Sequence, residues 1–225
     1  NSDNASGAHP LGQDILQISV EGAIATLVMN RPEKRNAMCE ELLHALESFF
    51  SAPPGGVKVA ILTGTAGHYC SGLDLSEHVH REPEENFYHS RHWHSVMEKI
   101  QFGGLAVVSA MFGAVIGGGM ELAAATHVRI AEPSTIFQLP EGRRGIFVGG
   151  GATARVGRII GPDRMTEMML TGRKYSADEG LTLGLAHYSV GEGEAMSLAQ
   201  TLAGKISRNA QFANMLMLQA IPRIN

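Results

Sequence analysis

The residues best suited to chemistry are two glutamates, Glu121 and Glu141, with three consecutive glycines, Gly117, Gly118 and Gly119, just ahead of the first. Consecutive glycines strip side chains from the backbone, so a ligand atom can touch the amides directly. Met120, Leu122, Ala123, Ala124 and Ala125 around Glu121 are apolar helix formers. That order predicts a glycine-rich turn feeding a helix, whose N-terminus points free N–H groups and a positive dipole end at whatever sits there. Glu141 follows after a strand-like segment. Fixed backbone donors for a developing oxyanion, with two carboxylates for proton transfer, suit carbonyl-activated acid/base chemistry. Each glutamate alone has a plainer reading, as a helix-start acid favoured by the dipole or as an exposed residue after a proline.

The elements that must position these residues alternate. Residues 15–20 and 23–29 are strand-like, joined by the hairpin signal Glu21-Gly22. Residues 40–50 carry helical periodicity until Pro53-Pro54-Gly55-Gly56 stops it. A strand is expected at 57–62, a glycine-punctuated turn at 64–72, a loop at 76–85, a helix at 87–100 and a buried strand at 105–111. After the glycine turn come a helix at 118–125, a strand at 126–130, helices at 152–160, 164–170 and 177–183, a strand at 186–190 and a helix at 192–207. Hydrophobic strands without clean polar alternation argue for an α/β architecture with strands covered on both faces. Residues 1–13 read as a mobile tail without an apolar signal-peptide core.

The 225 residues are 44% hydrophobic and 18% charged, enough apolar material for a substantial core. A net charge of -4 gives no global pull towards nucleic acid or an anionic membrane. No apolar run approaches the roughly 18 residues needed to span a bilayer. Cys39 and Cys70 do not form a disulfide framework in a chain of this length, which fits a reduced compartment. His68, His78, His80, His89, His92 and His94 cluster in sequence, but no ordered carboxylate or cysteine pattern completes a metal site, and none is expected. Cys70 lacks a marked histidine partner and reads as a small buried residue. A dinucleotide motif fails because position 122 is Leu, and the G-x-S-x-G elbow of a serine hydrolase is absent around Ser71.

Four segments, in order, carry a resemblance. Asn30-Arg31-Pro32-Glu33-Lys34-Arg35-Asn36-Ala37 resembles N-R-P-x-x-x-N-A, and Tyr69-Cys70-Ser71-Gly72-Leu73-Asp74-Leu75 resembles F-x-A-G-x-D-[IL]. Gly117-Gly118-Gly119-Met120-Glu121-Leu122-Ala123 is similar to G-G-G-x-E-L-A, and Phe137-Gln138-Leu139-Pro140-Glu141 to F-x-x-P-E. Together they resemble the crotonase (enoyl-CoA hydratase/isomerase) superfamily. The resemblance implies an α/β spiral of repeated ββα units across 14–191. It also implies that 192–225 begins a helical C-terminal trimerisation region, here incomplete. It places the two oxyanion-hole amides at Leu73 and Gly118, and a water between Glu121 and Glu141. Lys34, Arg35 and Ala37, with Ser71, Gly72, Asp74 and Leu75, would meet substrate and the CoA phosphates and adenine.

The implied activity is hydration of a 2-enoyl-CoA thioester, with coenzyme A as part of the substrate and no separate cofactor. A double-bond isomerase is the main rival, with a lyase or thioester hydrolase behind it. A non-catalytic RNA-binding homologue is opposed by the acidic balance. Gly142-Arg143-Arg144 departs from the apolar residues of well-known hydratases. Two guanidiniums there would favour an ionised Glu141, pair with other acids, or read a polar or anionic acyl tail. A homotrimer or dimer of trimers is expected, in the cytoplasm or, in a eukaryote, the mitochondrial matrix. Met215, Leu216, Met217, Leu218 and Ile221 are the expected contact cluster, packing against another subunit or against a further C-terminal segment.

Overall fold

The computed structural model describes residues 15–77 and 82–224, so the expected N-terminal tail and His78 and His80 lie outside the described residues. The chain opens with an antiparallel hairpin, β1 (Leu16–Glu21) and β2 (Ile24–Met29). It then alternates helix and strand: α1 (Glu40–Ser51), β3 (Val59–Gly64), α2 (Pro83–Phe102) and β4 (Ala106–Met111). Next come β5 (Ala114–Ile116), α3 (Gly118–Ala125), β6 (Val128–Ala131) and β7 (Ile136–Gln138). The last part holds α4 (Ala152–Ile160), α5 (Pro162–Thr171), β8 (Tyr175–Ser176), α6 (Ala177–Leu183), β9 (Tyr188–Ser189), α7 (Ala195–Ser207) and α8 (Gln211–Ala220).

Two sheets result. The larger runs β1-β2-β3-β4-β6-β9 and is parallel from β2 onward; the smaller runs β5-β7-β8. All residues of β3 and β4 are buried, as expected for strands covered on both faces. One face packs on α1 through Leu42, Leu43, Leu46, Phe49 and Phe50 within the main core. The other face is covered by α7, which buries Ala195, Ala199 and Ala203 on Val59, Ile61 and Val108. The small residues of this helix let it lie close on the strands.

Three features differ from the sequence expectation. The loop expected at 76–85 gives way at Pro83 to α2, since Glu82 and Glu85 form a capping box and Pro83 fits the first turn. β5, β7 and β8 are too short for a periodicity to register, so the second sheet went unread as a sheet. The strand expected at 186–190 reduces to a two-residue edge, Tyr188–Ser189. No described helix is long and apolar enough to cross a membrane. On α8 and just after it, Phe212, Leu216, Met217, Ile221 and Ile224 are exposed.

Candidate active site

The loop after β3 is stitched to the edge of the second sheet. Cys70 donates its amide to the Ala114 carbonyl (2.9 Å), and Ile116 donates to Cys70 (3.1 Å). Further on, Met38 donates to Gly72 (2.7 Å) and Asp74 donates to Met38 (2.9 Å). In a parallel bridge these bonds bracket Leu73 and turn its own N–H to the opposite side. That side faces α3. Gly118 is the first residue of α3, so its N–H has no partner within the helix.

The two amides come together because glycine lets them. Gly72 has φ +98°, and a Cβ there would sit 2.7 Å from the Ile116 carbonyl oxygen and 3.2 Å from the Gly118 nitrogen. A Cβ on Gly118 would lie 2.6 Å from the Trp93 ring and 3.4 Å from the Leu73 nitrogen. Leu73 and Gly118, singled out from sequence, are thus neighbours across one opening.

Two cavities meet there. One of about 320 Å³ is bordered by Leu75, Trp93, Glu121, Phe147 and Val148. The other, of about 350 Å³, is bordered by Ser71, Gly72 and the cations Arg35, Arg143, Arg144 and Lys174. Leu73, Leu75, Gly118, Glu141 and Ile146 belong to both.

The two glutamates enter this junction from different elements. Glu121 is 3% exposed, in the first turn of α3, and its Oε1 accepts amides of Gly150 (2.8 Å) and Ala152 (3.0 Å). Burial raises its pKa, and the two amides oppose that rise by favouring the carboxylate. Glu141 stands in the short helical turn after β7. Burial, reinforced by the like charge of Glu121, pushes its pKa up to about 7. Its Oε2 is buried without a hydrogen-bond partner among the described residues. The guanidiniums of Arg143 and Arg144 do not hold Glu141 ionised. Arg143 turns to the Thr171 carbonyl (2.6 Å) instead.

Other expected binding residues have framework contacts. Arg31 reaches Asp74 Oδ2 (2.9 Å) and the Ala37 carbonyl, and Ser76 donates its hydroxyl to Asp74 Oδ1 (2.6 Å). Against the opposing effect of burial, the Ser76 and Arg31 bonds hold Asp74 down at about 2. Lys34 points to the same carboxylate (3.8 Å), and the Lys34 carbonyl accepts the Ser71 hydroxyl (3.0 Å). Asp74, Ala37 and Lys34 border neither cavity. Sequence reasoning gave no role to Arg31 or Asn36. Asn36, at φ +57°, accepts the Arg31 amide and donates to the Thr65 and His68 carbonyls. Both residues stand in the first motif, which was the available signal. Cys70 is fully buried with its thiol pushed up to about 12, an inert packing residue.

Glu40, His44 and His92 bring ligand atoms within 4.8 Å of one another. Those groups are already engaged in a surface network of α1 and α2. Glu40 meets His89 (2.7 Å), and Glu47 meets His92 and Lys99 (2.8 Å each).

Residues 19–222 match the family described as Enoyl-CoA hydratase/isomerase, so the chain belongs to that family, within the crotonase superfamily. It is an enzyme of the family, whose substrates are CoA thioesters, and its two sheets with C-terminal helices are the crotonase fold. A crystal structure from Rhodopseudomonas palustris CGA009, assigned as an enoyl-CoA hydratase, is 42% identical, with a TM-score of 0.92 over 97% of this chain and 86% of that one. The mitochondrial enoyl-CoA hydratase domain-containing protein 2 of Homo sapiens is 32% identical, covering 99% of this chain and 78% of its own length. The short-chain-enoyl-CoA hydratase of Clostridium acetobutylicum is 31% identical over 90% of this chain and 79% of its own.

Proposed function

We propose that this enzyme adds water across the 2,3 double bond of a 2-enoyl-CoA thioester. One observation carries the reading: two buried carboxylates from separate elements open on the cavity that the Leu73 and Gly118 amides also border. The thioester oxygen takes hydrogen bonds from those amides and gains charge as an enolate forms. Water bonds through its oxygen to C3 and loses a proton to Glu121, whose Oε1 is fixed by two amides. Glu141 gives its proton to C2, and the enolate electron pair forms the new C–H bond. Water is added, and the pair of glutamates returns to one shared proton by exchange with solvent. Arg35, Arg143, Arg144 and Lys174 border the second cavity and supply cations for the CoA phosphates.

A panel of 2-enoyl-CoA thioesters tests this through the fall in thioester absorbance as the double bond is hydrated. No loss with any member rejects hydration. The pH profile adds a sign. The pair works with one proton, and Glu141 holds it with a midpoint of about 7. As pH rises through that value the proton is lost, so kcat/KM is expected to fall on the alkaline side in both directions of the reaction. A flat profile from pH 6 to 9 contradicts the shared-proton arrangement.

Isomerisation is the second reading, favoured by Glu141 alone: a single carboxyl with a midpoint of about 7 can carry a proton between carbons without water. We also propose a homotrimer or dimer of trimers that covers Phe212, Leu216, Met217 and Ile221. Light scattering is expected to give three or six chains; a stable monomer refutes it.

A further inference from the structure

We propose that Arg155 is the positioning residue that holds Glu121 in place and keeps it the proton acceptor of the pair, an inference that rests on the reading above. Glu121 takes both its hydrogen bonds from Gly150 and Ala152, in and just after the glycine run Gly149-Gly150-Gly151. Such a run has high conformational freedom and cannot fix two donors unaided. Ser90 on α2 donates its hydroxyl to the Gly149 carbonyl (2.8 Å), and Arg155, 8% exposed on α4, supplies the tether at Gly150 itself. Its Nη1 donates to the Gly150 carbonyl (3.1 Å), and its Nε donates to Oε1 of Gln101 in the last turn of α2 (2.7 Å). Gly150 is therefore held on one side by Arg155 and on the other by Glu121.

The guanidinium occupies space that glycine leaves open. Gly151 has φ +101°, and a Cβ there would fall 2.2 Å from Arg155 Nη1. The geometry links two helices, a glycine run and a carboxylate in one chain: Gln101, Arg155, Gly150, Glu121.

Charge acts in the same direction. The Arg155 cation favours the ionised form of Glu121, against the burial that raises its pKa. Among the described residues, Glu141 from the turn after β7 faces Glu121, while His94 and Glu98 from α2, His127, Arg129, Arg158 and His187 line the cavity that Arg155 also borders. His94 has its pKa lowered by burial and then by Arg155, so both oppose a charged imidazole there. Glu98 acts on Arg155, and Glu141 faces Glu121 as a like charge. Arg155 thus adds its charge to the Gly150 and Ala152 amides in favouring the carboxylate form of Glu121.

The test uses the full chain and two readouts. One is kcat and KM on the best enoyl-CoA thioester. The other is titration of carbon-13-labelled glutamate carboxyls by NMR, which needs no substrate. Arg155→Met is expected to lower kcat by about 10- to 100-fold with KM little changed, as for a catalytic group displaced by a fraction of its reach. It is also expected to move the Glu121 midpoint up by about one pH unit. Arg155→Lys keeps the charge but gathers its donors on one nitrogen, whereas the guanidinium reaches Gly150 and Gln101 through two. It should leave that midpoint near its original value and recover only part of kcat.

A folded Arg155→Met with an unmoved Glu121 midpoint overturns the proposal, even if kcat falls, because that pattern is structural support alone. Wild-type kcat in Arg155→Lys overturns the positioning role, and this arm stands if the Met variant fails to fold. If no thioester is hydrated but the midpoint moves as expected, the hydratase reading fails while the Arg155–Glu121 coupling holds.

Discussion

Glu141→Gln is expected to lower kcat for hydration by about 10²- to 10⁴-fold while leaving CoA binding nearly intact. Glutamine matches glutamate in shape, so the turn after β7 and the cavity wall persist. It cannot give up a proton at neutral pH, and burial at this site keeps solvent from standing in for it. Each tenfold loss corresponds to about 1.4 kcal/mol in the barrier, so the variant loses roughly 3–5 kcal/mol of transition-state stabilisation. The alkaline fall in kcat/KM should vanish with it, because Glu141 carries the proton with a midpoint of about 7. Stopped assays with the preferred thioester, beside calorimetry of CoA binding, measure both. Activity within tenfold of the parent removes Glu141 from the chemistry.

Glu121→Gln is the second large effect, again about 10²- to 10⁴-fold on hydration. The glutamine carbonyl oxygen can still accept from Gly150 and Ala152, so the glycine run stays in place. What is lost is the acceptor for the proton of the attacking water. The variant also separates the two chemical readings. A hydratase loses its reaction, whereas an isomerase that shuttles one proton through Glu141 keeps double-bond migration. Product analysis of a 3-enoyl thioester incubated with Glu121→Gln distinguishes them: 2-enoyl product at near-parental rate supports isomerisation. Combining both substitutions should cost little more than either one, because the glutamates act as a unit.

Much of this protein is legible in its sequence because several of its determinants are local. Apolar runs without alternation at β3 and β4 mark strands covered on two faces. The period of Leu42, Leu43, Leu46, Phe49 and Phe50 marks α1 and its buried side. Three glycines before an apolar helix former announce a turn whose amides are open, so Gly118 and Glu121 could be singled out without coordinates. Four spaced motifs also brought out Leu73 and Glu141.

The tertiary structure decided what depends on contacts between distant segments. That the Leu73 amide faces Gly118 follows from bonds between residues 38 and 72 and between 70 and 114, which no local pattern encodes. Whether a charged residue of a motif binds ligand or braces a loop is also a matter of partners. Asp74 is held by Arg31 and Ser76, while Arg143, Arg144 and Lys174 edge the second cavity. The proton affinities of Glu121 and Glu141 arise from burial and neighbours supplied by other elements. Arg155, thirty-four positions beyond Glu121, gains its place beside that carboxylate only when α4 folds back over α3. Sequence determines which groups are available; the long-range packing sets their distances and the dielectric around them, and these decide which groups act as acid, base or brace.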